Sequence, residues 1–416
     1  MSASPQLGAR AEPSVPAPAD PRRTARAART DRTGRTGPGD QAELVQLIRC
    51  PEAFEALAED WDSLVDRCSA ATPFQSHAWL CSWWRSYGRP GGLRVLTVRR
   101  GGELVAAAPL MRAGRLSPTL VPIGAGLTDF LDVLLDDASA EQSAPVLARA
   151  LAVELRLTRP WAALDLRELR PDAAAHRLAP HWPAASRVLS DSLCQHLPGI
   201  PIEELLSRLP GRTAQRSRVK LRKLEAVGVQ TSAVPAEDVP QALAELLALH
   251  EMQWRGRGVT PEHLRPRFAE HLARAVGRMV DADRAVVRRY RLGGELLACD
   301  LTLQSPALAA IYVYGVHPGA RDRVDVAGML FRESLAHAAA TGRDELSLLR
   351  GDEPYKQRWR PEQVRNGRLL LGGGPAVAVH GAAIRSRAGL IRLLRSRMPW
   401  VADVRRRLRG FRSGSG

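Results

Sequence analysis

Two carboxylates, a phenol and an amine stand within five consecutive residues, as Asp352, Glu353, Tyr355 and Lys356. Either carboxylate could accept a proton from an amine or hydroxyl nucleophile, and Tyr355 could protonate a departing thiolate. Lys356 is one of only three lysines in this arginine-rich chain. The alternative is a simple turn, in which the carboxylates cap a helix and the lysine forms an exposed ion pair. The local sequence favours neither interpretation.

A loop that contains glycine and arginine follows the apolar segment 308–316 and leads into a predicted helix at 325–341. The backbone N–H groups and the positive dipole end of a helix N-terminus bind pyrophosphate. This loop and the helix N-terminus after it could therefore bind a pyrophosphate. An ordinary capped helix with exposed arginines is the alternative.

Asp300 is a further candidate base, because it interrupts the apolar strand predicted at 295–304. Burial raises the pKa of a carboxyl group toward the range that suits a proton acceptor. A solvent-facing aspartate on an alternating strand explains the same pattern equally well.

Helices and strands must position these residues, and their predicted order indicates the fold class. In the first half, periodicity predicts a strand at 44–48, a helix at 51–67, a hairpin at 93–111 and a helix at 143–157, with weaker strands between. In the second half, four helices between 202 and 280 precede strands at 285–291, 295–304 and 308–316, then a helix at 325–341 and a strand at 345–349. This order predicts an α/β (α+β) fold with mixed, largely antiparallel sheets flanked by helices.

Length, composition and charge divide the chain of 416 residues into four parts. We predict a disordered arm at 1–40, two domains at 41–200 and 201–372, and a basic amphipathic tail at 373–416. Of the formal charge of +16, residues 1–40 carry +3 and residues 381–416 carry +9. The body is therefore only mildly basic, which is typical of an enzyme with a phosphorylated ligand.

Cysteine usage and hydropathy indicate the compartment. The five cysteines are widely separated and form no C-x-x-C pair, which predicts free thiols in a reducing cytoplasm. No apolar run approaches the roughly 20 residues that cross a bilayer. We predict a cytoplasmic protein whose tail at 381–416 could contact the anionic inner face of a membrane, although simple solubility explains the tail as well. The sequence has no G-x-S-x-G, H-E-x-x-H or P-loop motif, and we expect no metal.

The sequence resembles a known family at five places. These are Phe74-x-Ser76-x-x-Trp79-x-x-x-Trp83, Ala107-Ala108-Pro109-Leu110, the basic segment 216–229, Met252-Gln253-Trp254-Arg255, and Leu349-Arg350-Gly351-Asp352-Glu353-x-Tyr355-Lys356. Together they resemble the CelD-type (cellulose biosynthesis protein) GNAT acetyltransferases, which are related to the Fem peptidyltransferases. The resemblance covers roughly residues 42–372, and the last motif is the most specific part.

The resemblance implies two GNAT-like halves and acetyl-CoA, or another acyl-CoA, as co-substrate. It implies N- or O-acyl transfer to an amine or a sugar hydroxyl of a small molecule or glycan, in polysaccharide or cell-envelope metabolism. Tyr312, Tyr314 and Val316 would then line the acyl tunnel. The diphosphate would lie at Arg321, Arg323, Ala327 and Gly328, and the reacting end at Asp300, Asp352, Glu353, Tyr355 and Lys356. Two features depart from the family: the diphosphate loop is degenerate, and Ser347 stands where relatives commonly carry an aspartate.

Two other functions fit the sequence. The basic helix at 212–227 could bind tRNA, as in a Fem-like peptidyltransferase that uses aminoacyl-tRNA. An amphipathic helix with a basic wet face explains the same residues. A non-catalytic scaffold for exopolysaccharide synthesis is the other possibility.

Overall fold

The computed structural model describes residues 43–114, 119–159, 161–254, 261–351 and 353–397. The predicted arm at 1–40, the candidate Asp352 and the tail beyond residue 397 lie outside the described residues. The described residues belong to one compact unit.

A single mixed sheet runs through the described part of the chain. Its strands are β1 (Glu43–Ile48), β2 (Leu93–Arg100), β3 (Glu103–Ala113), β4 (Thr119–Pro122), β5 (Leu134–Leu135), β6 (Ala163–Leu169), β7 (Ala185–Pro198), β8 (Gln230–Ala233), β9 (Ala285–Leu292), β10 (Glu295–Gln304), β11 (Leu308–Val316), β12 (Glu345–Arg350) and β13 (Glu362–Gly372). Most neighbours are antiparallel, and the pairs β4–β6 and β11–β12 are parallel.

Helices flank this sheet, so the predicted fold class is confirmed. They are α1 (Pro51–Glu55), α2 (Ala58–Asp66), α3 (His77–Tyr87), α4 (Ala140–Thr158), α5 (Ile202–Ser207), α6 (Gly211–Val227), α7 (Val239–Trp254), α8 (Pro266–Asp281), α9 (Val326–Ala340), α10 (Pro354–Gln357) and α11 (Gly374–Arg397). The helix predicted at 51–67 is interrupted near Leu57 and becomes α1 and α2.

The order of strands in the sheet is β1-β2-β3-β4-β6-β13-β7-β12-β11-β10-β9-β8, and β5 pairs with β3. The predicted domain boundary at residue 200 falls between β7 and α5. Strand β13, which the periodicity did not predict, returns from the end of the second half to lie between β6 and β7. The two halves therefore share one continuous sheet in the described residues.

Apolar packing also joins the two halves. Helix α3 contacts α8, and Phe74 and Trp79 belong to the same buried cluster as Phe268 and Leu272. All four side chains have essentially no exposed surface. The aromatic residues at helical spacing in 74–84 therefore form core, because large rings contribute most when they are fully removed from water.

The parallel strands β11 and β12 are paired only at their beginnings, where residues 308–310 lie against residues 345–347. Beyond this point each strand is irregular. In β11, Tyr312 is an extra residue that bulges out of register with β10. In β12, Leu349 adopts a φ of +57°, and its backbone N–H donates to the Ser347 hydroxyl. Bulges redirect side chains and end strand pairing, and here they border the cavities described next.

Candidate active site

A mostly apolar cavity of about 270 Å³ lies where β11 and β12 separate. We call it the apolar cavity. Strands β11 and β12, the helices α9 and α10, and the turn before α9 supply its wall. The lining residues are Ile311, Tyr314, Arg321, Val324, Asp325, Val326, Ala327, Leu330, Phe331, Leu348, Tyr355 and Lys356.

A second cavity of about 580 Å³ adjoins the first, and we call it the polar cavity. Five residues line both cavities: Ile311, Tyr314, Leu348, Tyr355 and Lys356. The polar cavity is also lined by Gly126, Leu127, Asp129, His250, His263, Tyr312, Val313, Leu349, Arg350, Gly351 and Glu353. A molecule in one cavity could thus meet a molecule in the other beside Tyr355 and Lys356.

Two phenols meet at this junction. The hydroxyl of Tyr314 on β11 lies 3.4 Å from the hydroxyl of Tyr355 on α10 and can donate a hydrogen bond to it. Burial, and secondarily the neighbouring Tyr314, raises the pKa of Tyr355 well above its ordinary value. Tyr355 therefore stays protonated at neutral pH and can donate a hydrogen bond.

Lys356 and Glu353 form an ion pair beside the phenols. The Lys356 Nζ lies 2.7 Å from Glu353 Oε2 and 3.1 Å from the carbonyl oxygen of Arg350. The lysine side chain is only 5% exposed, whereas that of Glu353 is 41% exposed. The alternative of an exposed lysine ion pair is therefore wrong, and so is helix capping by Glu353, whose side chain makes no cap hydrogen bond.

Arg350 connects the junction to the first half of the chain. Its guanidinium lies 2.6 Å from Asp129 and 3.1 Å from Glu168. Neither carboxylate was predicted from sequence, because the three residues are far apart in the chain and meet only through the shared sheet. The one available signal was the polar pair Thr128 and Asp129 within an otherwise apolar stretch.

Two histidines, His250 and His263, also line the polar cavity, and sequence analysis did not identify them. The Nδ1 of His250 on α7 lies 2.7 Å from the carbonyl oxygen of Tyr314, and its Nε2 lies 3.3 Å from Nδ1 of His263. Burial lowers the pKa of both imidazoles, that of His263 to about 4. Both are therefore neutral at physiological pH.

The predicted acyl-tunnel residues are distributed differently from the expectation. Tyr314 lines both cavities, whereas Tyr312 lines only the polar one. The Tyr312 hydroxyl is buried and has no hydrogen-bond partner among the described residues. Val316 is buried in the core and lines neither cavity.

Of the four residues predicted to bind the diphosphate, two line the apolar cavity and two do not. Arg321 and Ala327 line the apolar cavity, but Arg323 does not and instead pairs with Glu295 at 3.2 Å. Gly328 is buried in the first turn of α9, where a Cβ atom would lie 2.7 Å from a carboxylate oxygen of Asp325. This small residue therefore makes room for Asp325 and does not itself line the cavity.

Asp325 introduces a negative charge at the N-terminus of α9. Arg358 binds it with both terminal nitrogens, at 3.2 and 2.8 Å, and Lys220 of α6 lies 3.8 Å away. Two cations therefore lie at this one carboxylate, and Arg321 lines the same cavity. The excess of positive charge and the apolar wall fit a diphosphate with an apolar arm, although an incoming phosphate would have to compete with Asp325 for Arg358.

Asp300 lies outside this arrangement. It is fully buried on β10 and accepts hydrogen bonds from Tyr290 at 2.7 Å, Thr302 at 3.0 Å and Arg288 at 3.2 Å. Burial raises its pKa, and the three donors oppose that effect. It lines neither cavity, so the structure does not bring this candidate base to the junction.

Within the described residues, no three side chains of histidine, cysteine, aspartate or glutamate are grouped to hold a metal ion. None of the described helices is long and apolar enough to cross a membrane.

Comparisons with known proteins agree with this geometry. Residues 211–357 match the model of the Acetyltransferase (GNAT) domain, a segment that contains most of both cavity linings. FemX superposes with a TM-score of 0.58 at 11% identity, over 77% of this chain and 98% of FemX. A conserved protein of unknown function from Bacteroides thetaiotaomicron gives a TM-score of 0.55 at 10% identity, over 79% of this chain and 99% of the other. No curated protein matches the sequence significantly. Residues 211–357 are therefore similar to a GNAT acetyltransferase domain, and the fold of the described residues is similar to that of FemX.

Proposed function

We propose that this protein is an acyl-CoA-dependent acyltransferase that moves an acetyl group from acetyl-CoA to an amine or a sugar hydroxyl. The observation that carries the proposal is the separation of β11 and β12, which leaves two adjoining cavities with Tyr314, Tyr355 and Lys356 in common. The acceptor class, in polysaccharide or cell-envelope metabolism, rests on the CelD-type resemblance.

The apolar cavity is the proposed donor site. Ile311, Leu330 and Phe331 would contact the pantetheine arm, while Arg321 and the N-terminus of α9 would bind the diphosphate. The co-substrate supplies the acyl group as a thioester. Because such transfer needs positioning and charge stabilisation, no covalent intermediate on the protein is required.

The polar cavity is the proposed acceptor site. The nucleophile would approach from the side of Tyr312 and Glu353, and Tyr355 would give its proton to the sulfur when the carbon–sulfur bond breaks. Lys356 would hold Glu353 in place through their 2.7 Å contact. Arg350, paired with Asp129, would fix the loop that carries both residues.

A matched pair of arginine variants tests the donor site. At 100 times its dissociation constant, acetyl-CoA should stabilise the fold by about 2.7 kcal/mol. Arg321→Ala should weaken this stabilisation, and Arg323→Ala should not, because Arg323 faces Glu295 and does not line the cavity. The measurement is thermal unfolding of the full chain with acetyl-CoA and longer acyl-CoAs. If no acyl-CoA stabilises the wild type, the proposal is wrong.

A Fem-like peptidyltransferase that uses aminoacyl-tRNA is the second candidate. One observation favours it: α6 presents exposed cations, and Lys220 brings that helix within 3.8 Å of Asp325 on the wall of the apolar cavity. Adding tRNA to the same unfolding experiment separates the candidates. Stabilisation by tRNA alone would support peptidyl transfer, and stabilisation by neither ligand would support the scaffold.

A further inference from the structure

The two histidines of the polar cavity belong to a row of two hydrogen bonds that starts at a backbone carbonyl. The donor and the acceptor of each bond can be assigned. The carbonyl oxygen of Tyr314 can only accept, so the Nδ1 of His250, 2.7 Å away, must donate. A neutral imidazole carries one proton, so the Nε2 of His250 is an acceptor. The first hydrogen bond therefore shows which tautomer His250 adopts, with its proton on Nδ1.

The second link fixes the other ring. The Nδ1 of His263 lies 3.3 Å from the Nε2 of His250 and must donate to it. The proton of His263 is then on Nδ1, which leaves the lone pair of its Nε2 free of a proton. The ring is held by stacking on Phe268, with centroids 4.5 Å apart and an interplanar angle of 16°.

Close packing of α7 against β11 holds His250, the first of the two hydrogen-bonded histidines, in place. Gly315 follows Tyr314 in β11, and a Cβ atom at this glycine would lie 2.5 Å from the backbone nitrogen of His250. Only a residue without a side chain permits this approach. The first histidine is therefore positioned by the strand that also carries Tyr314 into both cavities.

Electrostatics keep the two rings neutral. Burial is the main cause of the lowered pKa values, and the second ring adds to the effect at His263. Among the described residues, the carboxylate of Glu262 acts on His263 and opposes the fall in its pKa; this carboxylate is held by Arg265 and Arg267 and lies near Tyr87 of α3. The same cavity is lined by two ion pairs, Asp129 with Arg350 and Glu353 with Lys356.

We propose that the Nε2 of His263 is the proton acceptor for the nucleophile, with His250 as a positioning residue. The inference rests on the proposed acyl transfer. The nucleophile nitrogen or oxygen forms a bond to the acyl carbon, and its proton passes to His263 Nε2. The carbon–sulfur bond breaks, and the sulfur takes the Tyr355 proton. The imidazolium then releases its proton to solvent, and the Tyr355 phenolate takes one back.

A weakly basic imidazole suffices for this step. The attacking nitrogen becomes positively charged and strongly acidic as its new bond forms. The transfer of its proton to His263 is therefore favourable in free energy only at that stage. Glu262, whose carboxylate acts on His263, favours the transient imidazolium.

The test measures release of the CoA thiol from acetyl-CoA by the full chain, with ethanolamine or hydroxylamine as nucleophile. His263→Ala should lower kcat/KM for ethanolamine by about 100-fold, and added imidazole should restore part of the loss. The decrease with hydroxylamine should be smaller, since its nitrogen loses a proton more readily. Stabilisation by acetyl-CoA should be unchanged. His181→Ala, at an exposed histidine outside both cavities, is the control and should retain wild-type rates.

Three results would overturn the inference. The first is a His263→Ala variant with wild-type rates, and the second is a loss that imidazole does not rescue while His263→Gln loses nothing. The third, independent of activity, is a nitrogen NMR spectrum in which the His263 ring carries its proton on Nε2. A wild type that neither binds acetyl-CoA nor releases thiol would instead overturn the proposed function, and this inference with it.

Discussion

The guanidinium of Arg350 lies 2.6 Å from the carboxylate of Asp129, joining two residues that are 221 positions apart in the chain. Glu168 binds the same guanidinium at 3.1 Å. Arg350 immediately precedes the loop that carries Glu353 and Lys356, so this contact attaches the candidate reacting loop to the first half of the sheet.

Removal of the Arg350 charge should lower the free energy of unfolding. Arg350→Met leaves two nearly buried carboxylates without their cation. We expect the free energy of unfolding to fall by about 2 kcal/mol. This is less than for a fully buried pair, because the arginine is partly exposed. Arg177→Met removes an exposed ion pair with Glu141 and should change stability by less than about 0.5 kcal/mol. Chemical denaturation measures both. Equal effects would contradict the role given to Arg350.

Variants of two tyrosines, Tyr355 and Tyr290, separate a catalytic role of a phenol from a structural one. Tyr355→Phe removes the proposed proton donor at the junction and should lower kcat by about 100-fold with little change in KM. Tyr290→Phe removes a donor to the buried Asp300 and should cost about 1 to 2 kcal/mol of stability. Its kcat per folded molecule should remain that of the wild type, because neither residue lines a cavity. A strong kcat effect from Tyr290→Phe would return Asp300 to the list of catalytic candidates.

A pair of glycine variants tests the packing of α7 on β11. Gly315→Ala would place a methyl group against the backbone of Leu246 and His250, and we expect a loss of about 1 to 3 kcal/mol. Gly277→Ala in α8 meets only one atom, at 3.9 Å, and should raise stability by up to about 1 kcal/mol, since alanine favours helix. The measurement is the urea midpoint of each variant. A neutral Gly315→Ala would show that α7 is free to move.

The buried His271 should make the free energy of unfolding depend on pH. It is buried between α3 and α8, its Nδ1 lies 3.1 Å from the Ser82 hydroxyl, and its ring lies 4.5 Å from that of Trp79. Burial, and secondarily the charge of Arg274, lowers its pKa from 6.5 to about 3. Between these values the unfolded chain binds one more proton than the folded chain at this residue. The stability it contributes is therefore complete above pH 6.5 and declines as pH falls toward 3, by about 1.4 kcal/mol per pH unit.

The variant His271→Phe should remove that part of the pH dependence while retaining the ring contacts. Denaturation at several pH values between 7 and 4 gives the slope. His181→Phe, at an exposed position, should leave the wild-type slope intact. An unchanged slope in His271→Phe would mean that the ring has the same pKa in the folded and the unfolded chain.

Sequence alone determined the local structure around the site. Most helices and strands were predicted because apolar residues recur at helical or strand spacing along the chain. The closing motif also indicated Glu353, Tyr355 and Lys356, since unlike polar groups crowd into one short loop after a strand. Strand β13 was missed, because its polar first half has no clear alternation of buried and exposed residues.

Only the tertiary structure decided which of the candidates meet. Asp300 and Arg323 matched the sequence pattern as well as Tyr314 and Arg321 did, but strand register and helix packing direct the first two to other partners. Asp129, His250 and His263 became candidates only because the shared sheet and the packing of α7 bring distant segments to one cavity. Periodicity records which face of an element is apolar. The position of that element among its neighbours depends on long-range packing, which no local pattern contains.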